Sequence, residues 1–512
     1  MRTMTFTLVK NAATLALVFA STACASTPAR SPKSSTAQAA PPTEAAAQQQ
    51  LGERVAADAE FRKQPPQPAP DPHFNIPKVE RFKLSNGLPV ILASDRDLPL
   101  VYVQVVVRTG GLADPVGKAG LADLTADMLD EGTSNRSALQ ISADIEQLGA
   151  SLATGAARDY SVVSVSGLSE VMDRALPVWA DVLLNPAFAD EELARVRENR
   201  MAVFQRRKDS PPSLAAIVFG RAIYGEQHPL GWPETGSEET LPQLSVAELK
   251  RFHKSYFQPN NAVLVVAGDM DQAGVRKLIE PLLKGWKGKA QTPRAVPAPK
   301  PLKKTSIFLV NKAQAPQSSI RMGLPALPRK HPDYYKAGVM NEILGGSFRR
   351  LSLNLREQKG WTYGVYSKFV PYQVAGPWQI YGEFVANKTA ESVTELLGEV
   401  ERIRKEDVPA VELQEAKDAL IRAFPAQFST MPQLADQMAN LFVYNLPDNE
   451  LESFQAKVAA VTAQDVRDMA RKYLLPQQMA IVVVGDQASV QAPLSQIAEV
   501  ELRDIDGKPV KP

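Results

Sequence analysis

The chain reads as an α+β protein built from two homologous lobes on a linker. Three observations carry that expectation. Short apolar strands and amphipathic helices alternate along residues 79 to 490. The stretch "LSVAELKRFHKSYFQPNNAVLVVAGD" returns as "VTAQDVRDMARKYLLPQQMAIVVVGD", with Tyr256 and Tyr473, Pro259 and Pro476, Gly268 and Gly485, and Asp269 and Asp486 all 217 positions apart. Between the copies runs "KGKAQTPRAVPAPKPLKK", residues 287–304, a Pro- and Lys-rich linker.

Each element has a local reason. "RFKLSNGLPVILASD" sets Asn86-Gly87 between apolar runs, a hairpin signal. "LPLVYVQVVVRTGG" is a β-branched strand closed by two glycines. "SALQISADIEQLGA" opens on the capping box Ser137/Gln140 and closes at Gly149. "ASLATGAARDYSVVSVSGLS" predicts a strand pair, and "VMDRALPVWADVLLNP" an amphipathic helix stopped by Pro186. Ser245 with Glu248 and Thr462 with Asp465 repeat one helix N-cap in both lobes. Lobes thus paired are expected at 79–286 and 305–490, facing each other across a cleft, with 491–512 as a tail.

The N-terminus predicts a compartment. Arg2 and Lys10 precede an apolar stretch, Leu15 to Ala20, too short to span a bilayer, so residues 1–25 read as a signal peptide. Two processing readings stay open. Ala23-Cys24-Ala25 fits a cleavage site, and "STAC" resembles a lipobox with Ser21 where leucine is usual. Cys24 is the chain's one cysteine, and its position favours lipidation. Residues 26–77, rich in Ala, Pro, Gln and Ser, predict a disordered tether. A bacterial periplasmic or envelope protein, lipid-anchored to the outer membrane on the second reading, follows. A net charge of +2 with 22% charged residues gives no nucleic-acid signature.

Four histidines, His73, His228, His253 and His331, offer no pair at helical spacing, so no zinc pair can form on one helix face. Yet "GLADLTADMLDEGT", "HPLGWPETGSEETL", "YFQPNNAVLVVAGD" and "LGGSFRRLSLNLREQKGWTYGVYS" closely resemble the M16 (insulinase, or pitrilysin) family of zinc peptidases, in its short mitochondrial-processing-peptidase-like branch. The resemblance implies two α/β-roll lobes of the LuxS/metallohydrolase-like type. It also implies a His-x-x-Glu-His motif on the first helix and a further glutamate on a later one. Here Asp123 and Asp127 stand at the histidine positions, Ala126 at the general-base position, and Phe204, beside Gln205, near the later glutamate. Asp123 and Asp127 share a helix face and read as a solvated or ion-paired acidic face. A hard cation there is the weakest reading.

The second lobe keeps Arg356 and Tyr363, seven residues apart. The resemblance gives such a pair the role of binding the substrate carbonyl and developing oxyanion, which suits a guanidinium and a phenol. Gly345 and Gly346 lie in a segment where the family has a loop that touches substrate. The alternative is a plain helix C-cap. The pattern implies the zinc-lacking subunit of a heterodimeric peptidase, without a metal of its own, whose M16 partner carries His-x-x-Glu-His and the zinc and whose substrates are unfolded peptides. A non-enzymatic scaffold or peptide-holding protein is the rival reading.

Overall fold

The computed structural model describes residues 74–510. The leader, Cys24, His73 and most of the expected tether lie outside the described residues. Twelve strands among the described residues form two six-stranded mixed sheets. The first joins β1 (Glu80–Lys83), β2 (Pro89–Ser94), β3 (Leu100–Val107), β4 (Ser151–Ala156), β5 (Ser161–Leu168) and β6 (Ala262–Gly268), in the order β1-β2-β6-β3-β5-β4. The second joins β7 (Ser306–Asn311), β8 (Gln317–Pro325), β9 (Thr362–Phe369), β10 (Pro377–Val385), β11 (Ala480–Gly485) and β12 (Glu499–Arg503), in the order β12-β7-β11-β8-β10-β9.

The 217-residue offset runs far beyond the repeat visible in sequence. It relates Pro89 of β2 to Ser306 of β7 and Leu100 of β3 to Gln317 of β8, each the first residue of its strand. β2 lies parallel to β6 as β7 does to β11, and the other equivalent pairs are antiparallel in both sheets. The outer strands break the symmetry. β1 closes the first sheet as an antiparallel hairpin across Asn86-Gly87, whereas β12 joins β7 in parallel from the far end of the chain. The segment expected as a tail therefore completes the second sheet. Its alternating "EVELR" gives it a face to pair with.

Helices cover the inner face of each sheet. In the first lobe these include α1 (Leu121–Asp127), α2 (Ala138–Glu146), α3 (Met172–Leu184), α4 (Asp190–Arg207) and α6 (Val246–Tyr256). In the second they include α7 (Tyr334–Gly345), α8 (Thr389–Lys405) and α11 (Ala463–Tyr473). The expected capping boxes form at Ser137, Ser245 and Thr462. Residues 287–305 carry neither helix nor strand.

The other face of each sheet is covered by a helix from the opposite lobe. α5 (Pro211–Tyr224) sets Leu214, Val218, Phe219 and Ile223 against Phe308, Val310, Val482 and Val484 of the second sheet. α10 (Met431–Val443) sets Leu434, Met438 and Leu441 against Ile91, Val106, Val263 and Val265 of the first. It follows α9 (Ala410–Ala423). These contacts bind the lobes by reciprocal exchange, because a strand apolar on both sides needs two covers. Phe74 and Ile76, at the end of the expected tether, join the same cluster, Phe74 packing on Phe424 and Phe428.

A polar latch reinforces the contact. Asp159 accepts hydrogen bonds from the Gln373 backbone N–H at 3.0 Å and from the Tyr444 hydroxyl at 3.2 Å. Burial raises its carboxyl to about 6 against those bonds.

Candidate functional site

α1 begins after Gly120, whose φ of +93° suits glycine and whose would-be Cβ meets the Gly236 backbone at 2.9 Å. Asp114 fixes this start by accepting from the Gly120 and Ala122 N–H groups at 2.8 and 2.9 Å. The helix then presents Asp123 and Asp127 one turn apart and buries Ala126 completely.

Arg200, from α4, lies between the two carboxylates. Its Nη1 is 2.7 Å from Asp123 Oδ2, and its Nη2 donates to Asp127 Oδ2. Arg200 is 9% exposed, so little water competes for it. Burial raises Asp123 while Arg200 pulls it down. Phe204, one turn further along α4, is buried in the first-lobe core, with the Arg207 guanidinium over its ring at 5.0 Å.

This donor set does not fit zinc. Zinc takes nitrogen, sulfur or carboxylate ligands around an open centre, and here a guanidinium stands between the two acids. The acidic face is ion-paired, and its counter-ion is a side chain of the protein. Sequence reading missed Arg200, though its spacing of four from Phe204 marked the same face of α4.

Beside this triad the first sheet ends at β4, whose outer edge has no strand partner among the described residues. A groove of about 750 Å³ runs along it, lined by Leu139, Ile141, Leu152, Glu131 and Arg195 among others. A second, of about 430 Å³, continues past Thr154 to Arg200 and Val203. Asp130 lines both, and burial, with Glu131 and Asp127 nearby, raises its carboxyl to about 6.

Arg356 and Tyr363 come together. The π-helical turn Leu353–Gln358 carries Arg356, Gly360 reverses the chain at φ +66°, and β9 carries Tyr363. The Arg356 guanidinium stacks over the Tyr363 ring at 5.1 Å and the Phe348 ring at 5.6 Å. Its Nε pairs with Glu357 at 3.3 Å, as the adjacent acid suggests. Tyr363 is 86% exposed, on an edge strand beside a register shift.

The glycines before this pair play a packing role. Gly345 ends α7 buried, and a Cβ there would meet the Ser367 backbone nitrogen at 2.4 Å. A Cβ on Gly346 would meet the Glu342 carboxylate at 2.3 Å. The exposed aromatic of this loop is Phe348, at φ +54° and 62% exposed, which sequence reading did not single out. Arg350 anchors the loop by donating two hydrogen bonds to the Glu412 carboxylate, each at 2.7 Å.

The described histidines serve the fold. His228 Nδ1 accepts from the Leu230 N–H at 3.0 Å, His253 Nε2 bonds the Leu183 carbonyl at 2.9 Å, and His331 Nδ1 accepts from the Asp333 N–H at 3.1 Å.

The fold and site thus define a two-lobed α+β chain with an acidic helix face paired to Arg200 and an arginine stacked on an exposed tyrosine. Its residues 89–219 match the model of "Insulinase (Peptidase family M16)", and residues 243–420 match "Peptidase M16 inactive domain". It is 26% identical over 343 residues to "Uncharacterized zinc protease YmxG" of Bacillus subtilis, covering 67% of this chain and 82% of that one. It is 24% identical over 407 residues to "Non-peptidase homolog YmxG" of Helicobacter pylori, covering 78% and 92%. A crystal structure of a peptidase M16 inactive domain from Pseudomonas fluorescens superimposes with a TM-score of 0.74 at 28% identity, over 80% of this chain and 98% of that one. The chain belongs to the M16 peptidase family.

Proposed function

We propose that this chain is the zinc-lacking subunit of a two-chain M16 metallopeptidase of the bacterial cell envelope. The partner is an M16 paralogue with an intact His-x-x-Glu-His, which supplies zinc and the general base. This chain supplies Arg356 and Tyr363 across the shared cleft, donating hydrogen bonds to the substrate carbonyl as negative charge develops on it. Substrates are unfolded peptides, which can add a strand to an open sheet edge.

One observation carries the reading. Arg356 and Tyr363 meet at the surface with the phenol 86% exposed, while Asp123 and Asp127 of the same chain are paired to Arg200. A stacked pair held at the surface adds little to a core, so its chemistry needs an external target. The rival reading is a non-enzymatic scaffold, favoured by the description of the Helicobacter pylori relative as a non-peptidase homologue.

The test begins with affinity isolation of the tagged chain from its own envelope and mass spectrometry of what accompanies it. A stoichiometric partner with His-x-x-Glu-His is expected. Peptide cleavage by the reassembled pair should fall by about 10²–10³ in kcat for Tyr363→Phe or Arg356→Ala. Full activity in both variants would leave the scaffold reading.

A further inference from the structure

On the second sheet, β8, β10 and β9 bring together side chains outside the arginine–tyrosine pair. Arg321 on β8 stands opposite Tyr381 on β10, and Tyr381 stands opposite Tyr366 on β9. Lys368 on β9 stands opposite Gln379. The Arg321 guanidinium lies 5.3 Å from the Tyr381 ring centre and the Lys368 ammonium 5.1 Å from it. The Tyr366 and Tyr381 rings are 5.9 Å apart.

Two cations thus share one aromatic ring, and among the described residues neither has an acidic partner. Arg321 makes one hydrogen bond, Nη1 to Gln379 Oε1 at 2.8 Å, and its buried Nε has none. Burial lowers Arg321, and burial together with Arg321 lowers Lys368. Glu383, the one acid on these three strands, accepts instead from Ser319 Oγ at 3.3 Å. Neither the Tyr366 nor the Tyr381 hydroxyl has a hydrogen-bond partner among the described residues. A partly buried guanidinium beside a second, exposed cation, with free donors around both, is a costly arrangement unless an anion completes it. The equivalent position in the first lobe, 217 residues earlier, is the uncharged Gln104, so the fold itself does not require a cation there.

We infer that Arg321 and Lys368, flanked by Tyr366 and Tyr381, form a binding site for the carboxylate of an extended peptide. A guanidinium fork matches a planar carboxylate, and the ammonium and phenols can reach its remaining lone pairs. Tyr366 and Lys368 of the site lie on β9, the strand that carries Tyr363. Lys368 is five positions after Tyr363, about 16 Å along a strand, so a peptide held at Tyr363 reaches Lys368 within about five extended residues. The peptide as occupant rests on the function proposed above; the anion site itself does not.

The test uses the purified chain and a fluorescein-labelled decapeptide without Asp or Glu, made as the free acid and as the C-terminal amide. Fluorescence anisotropy should show the acid binding about tenfold or more tightly than the amide. Lys368→Gln, at an exposed position, should bring the acid to the level of the amide and leave the amide unchanged. Arg321→Gln should do the same if it folds. An amide carrying one internal Glu that recovers the affinity would assign the carboxylate to a side chain, and one that does not would assign it to the C-terminus; both support the site. Equal binding of acid and amide would overturn it while leaving peptide binding intact. If no peptide binds, thermal shift with N-acetylglycine decides. Stabilisation lost in Lys368→Gln keeps the anion site without the peptide, and no stabilisation removes it. Inorganic phosphate competing as well as N-acetylglycine would refute the carboxylate assignment.

Discussion

Replacing Arg200 by methionine would keep the aliphatic stem of the side chain and delete the charge between Asp123 and Asp127. Two like charges one turn apart on an exposed helix cost only about 0.2–0.5 kcal/mol. Breaking a fully buried ion pair costs about 3–5 kcal/mol. The site falls between these limits, with the Asp123 side chain 15% exposed and Asp127 44% exposed. We expect Arg200→Met to lose about 2–3 kcal/mol. The triple variant Asp123→Asn, Asp127→Asn, Arg200→Met removes every charge and should return to within about 1 kcal/mol of the parent, because an uncharged cluster has no desolvation cost to offset. Urea unfolding at pH 8 and pH 5, read by tryptophan fluorescence, measures both. Burial already raises Asp123, and losing Arg200 raises it further. A folded carboxyl raised above its unfolded value loses stability as pH rises, so the defect should be larger at pH 8 than at pH 5. A single variant as stable as the parent, a triple variant no better than the single, or a defect independent of pH would each refute the view that this guanidinium holds the two carboxylates charged.

The remaining expectations are shorter. Rebuilding the motif with Asp123→His, Ala126→Glu, Asp127→His and Phe204→Glu should bind zinc only when Arg200→Ala is added, which dialysis and metal analysis can check. Asp114, Asp130 and Asp159 are raised by burial from 3.8 to about 7, 6 and 6. Their protonated forms are favoured in the fold, so stability should fall from about pH 4 to 7, and Asp159→Asn should flatten part of that slope in pH-dependent unfolding. Residues 74–286 made alone should be insoluble, because Ile91, Val106, Val263 and Val265 lose α10. Co-expression with residues 287–510 should rescue them, and a soluble monomeric half would contradict the exchange of covers.

Much of the fold was legible because local chemistry and repetition agreed. The Asn86-Gly87 hairpin, the caps at Ser137, Ser245 and Thr462, and the strand ending at Gly268 all rest on residues close in sequence. What escaped was long-range. Nothing in the apolar stripe of α5 says which sheet it will cover, and the stripe of α10 is equally silent. The strand Glu499–Arg503 is short and pairs with a strand nearly two hundred residues earlier. At the site, family resemblance, not periodicity, singled out Arg356 and Tyr363. Arg200 escaped because an ion pair across 73 positions leaves no local pattern. Arg321 and Lys368 become a pair only when β10 aligns β8 with β9.

The exchanged helices bear on the history of the chain. A gene encoding one lobe would have made a sheet with an uncovered apolar face and a helix with nowhere of its own to dock. Two copies of that product could satisfy each other only as a symmetric dimer, each lending its helix to its mate. Fusion of the two copies would have preserved this arrangement inside one polypeptide and freed the halves to diverge. On that view the first half could come to set Asp123 and Asp127 against Arg200, and the second to stack Arg356 on Tyr363, without disturbing the embrace that both inherited.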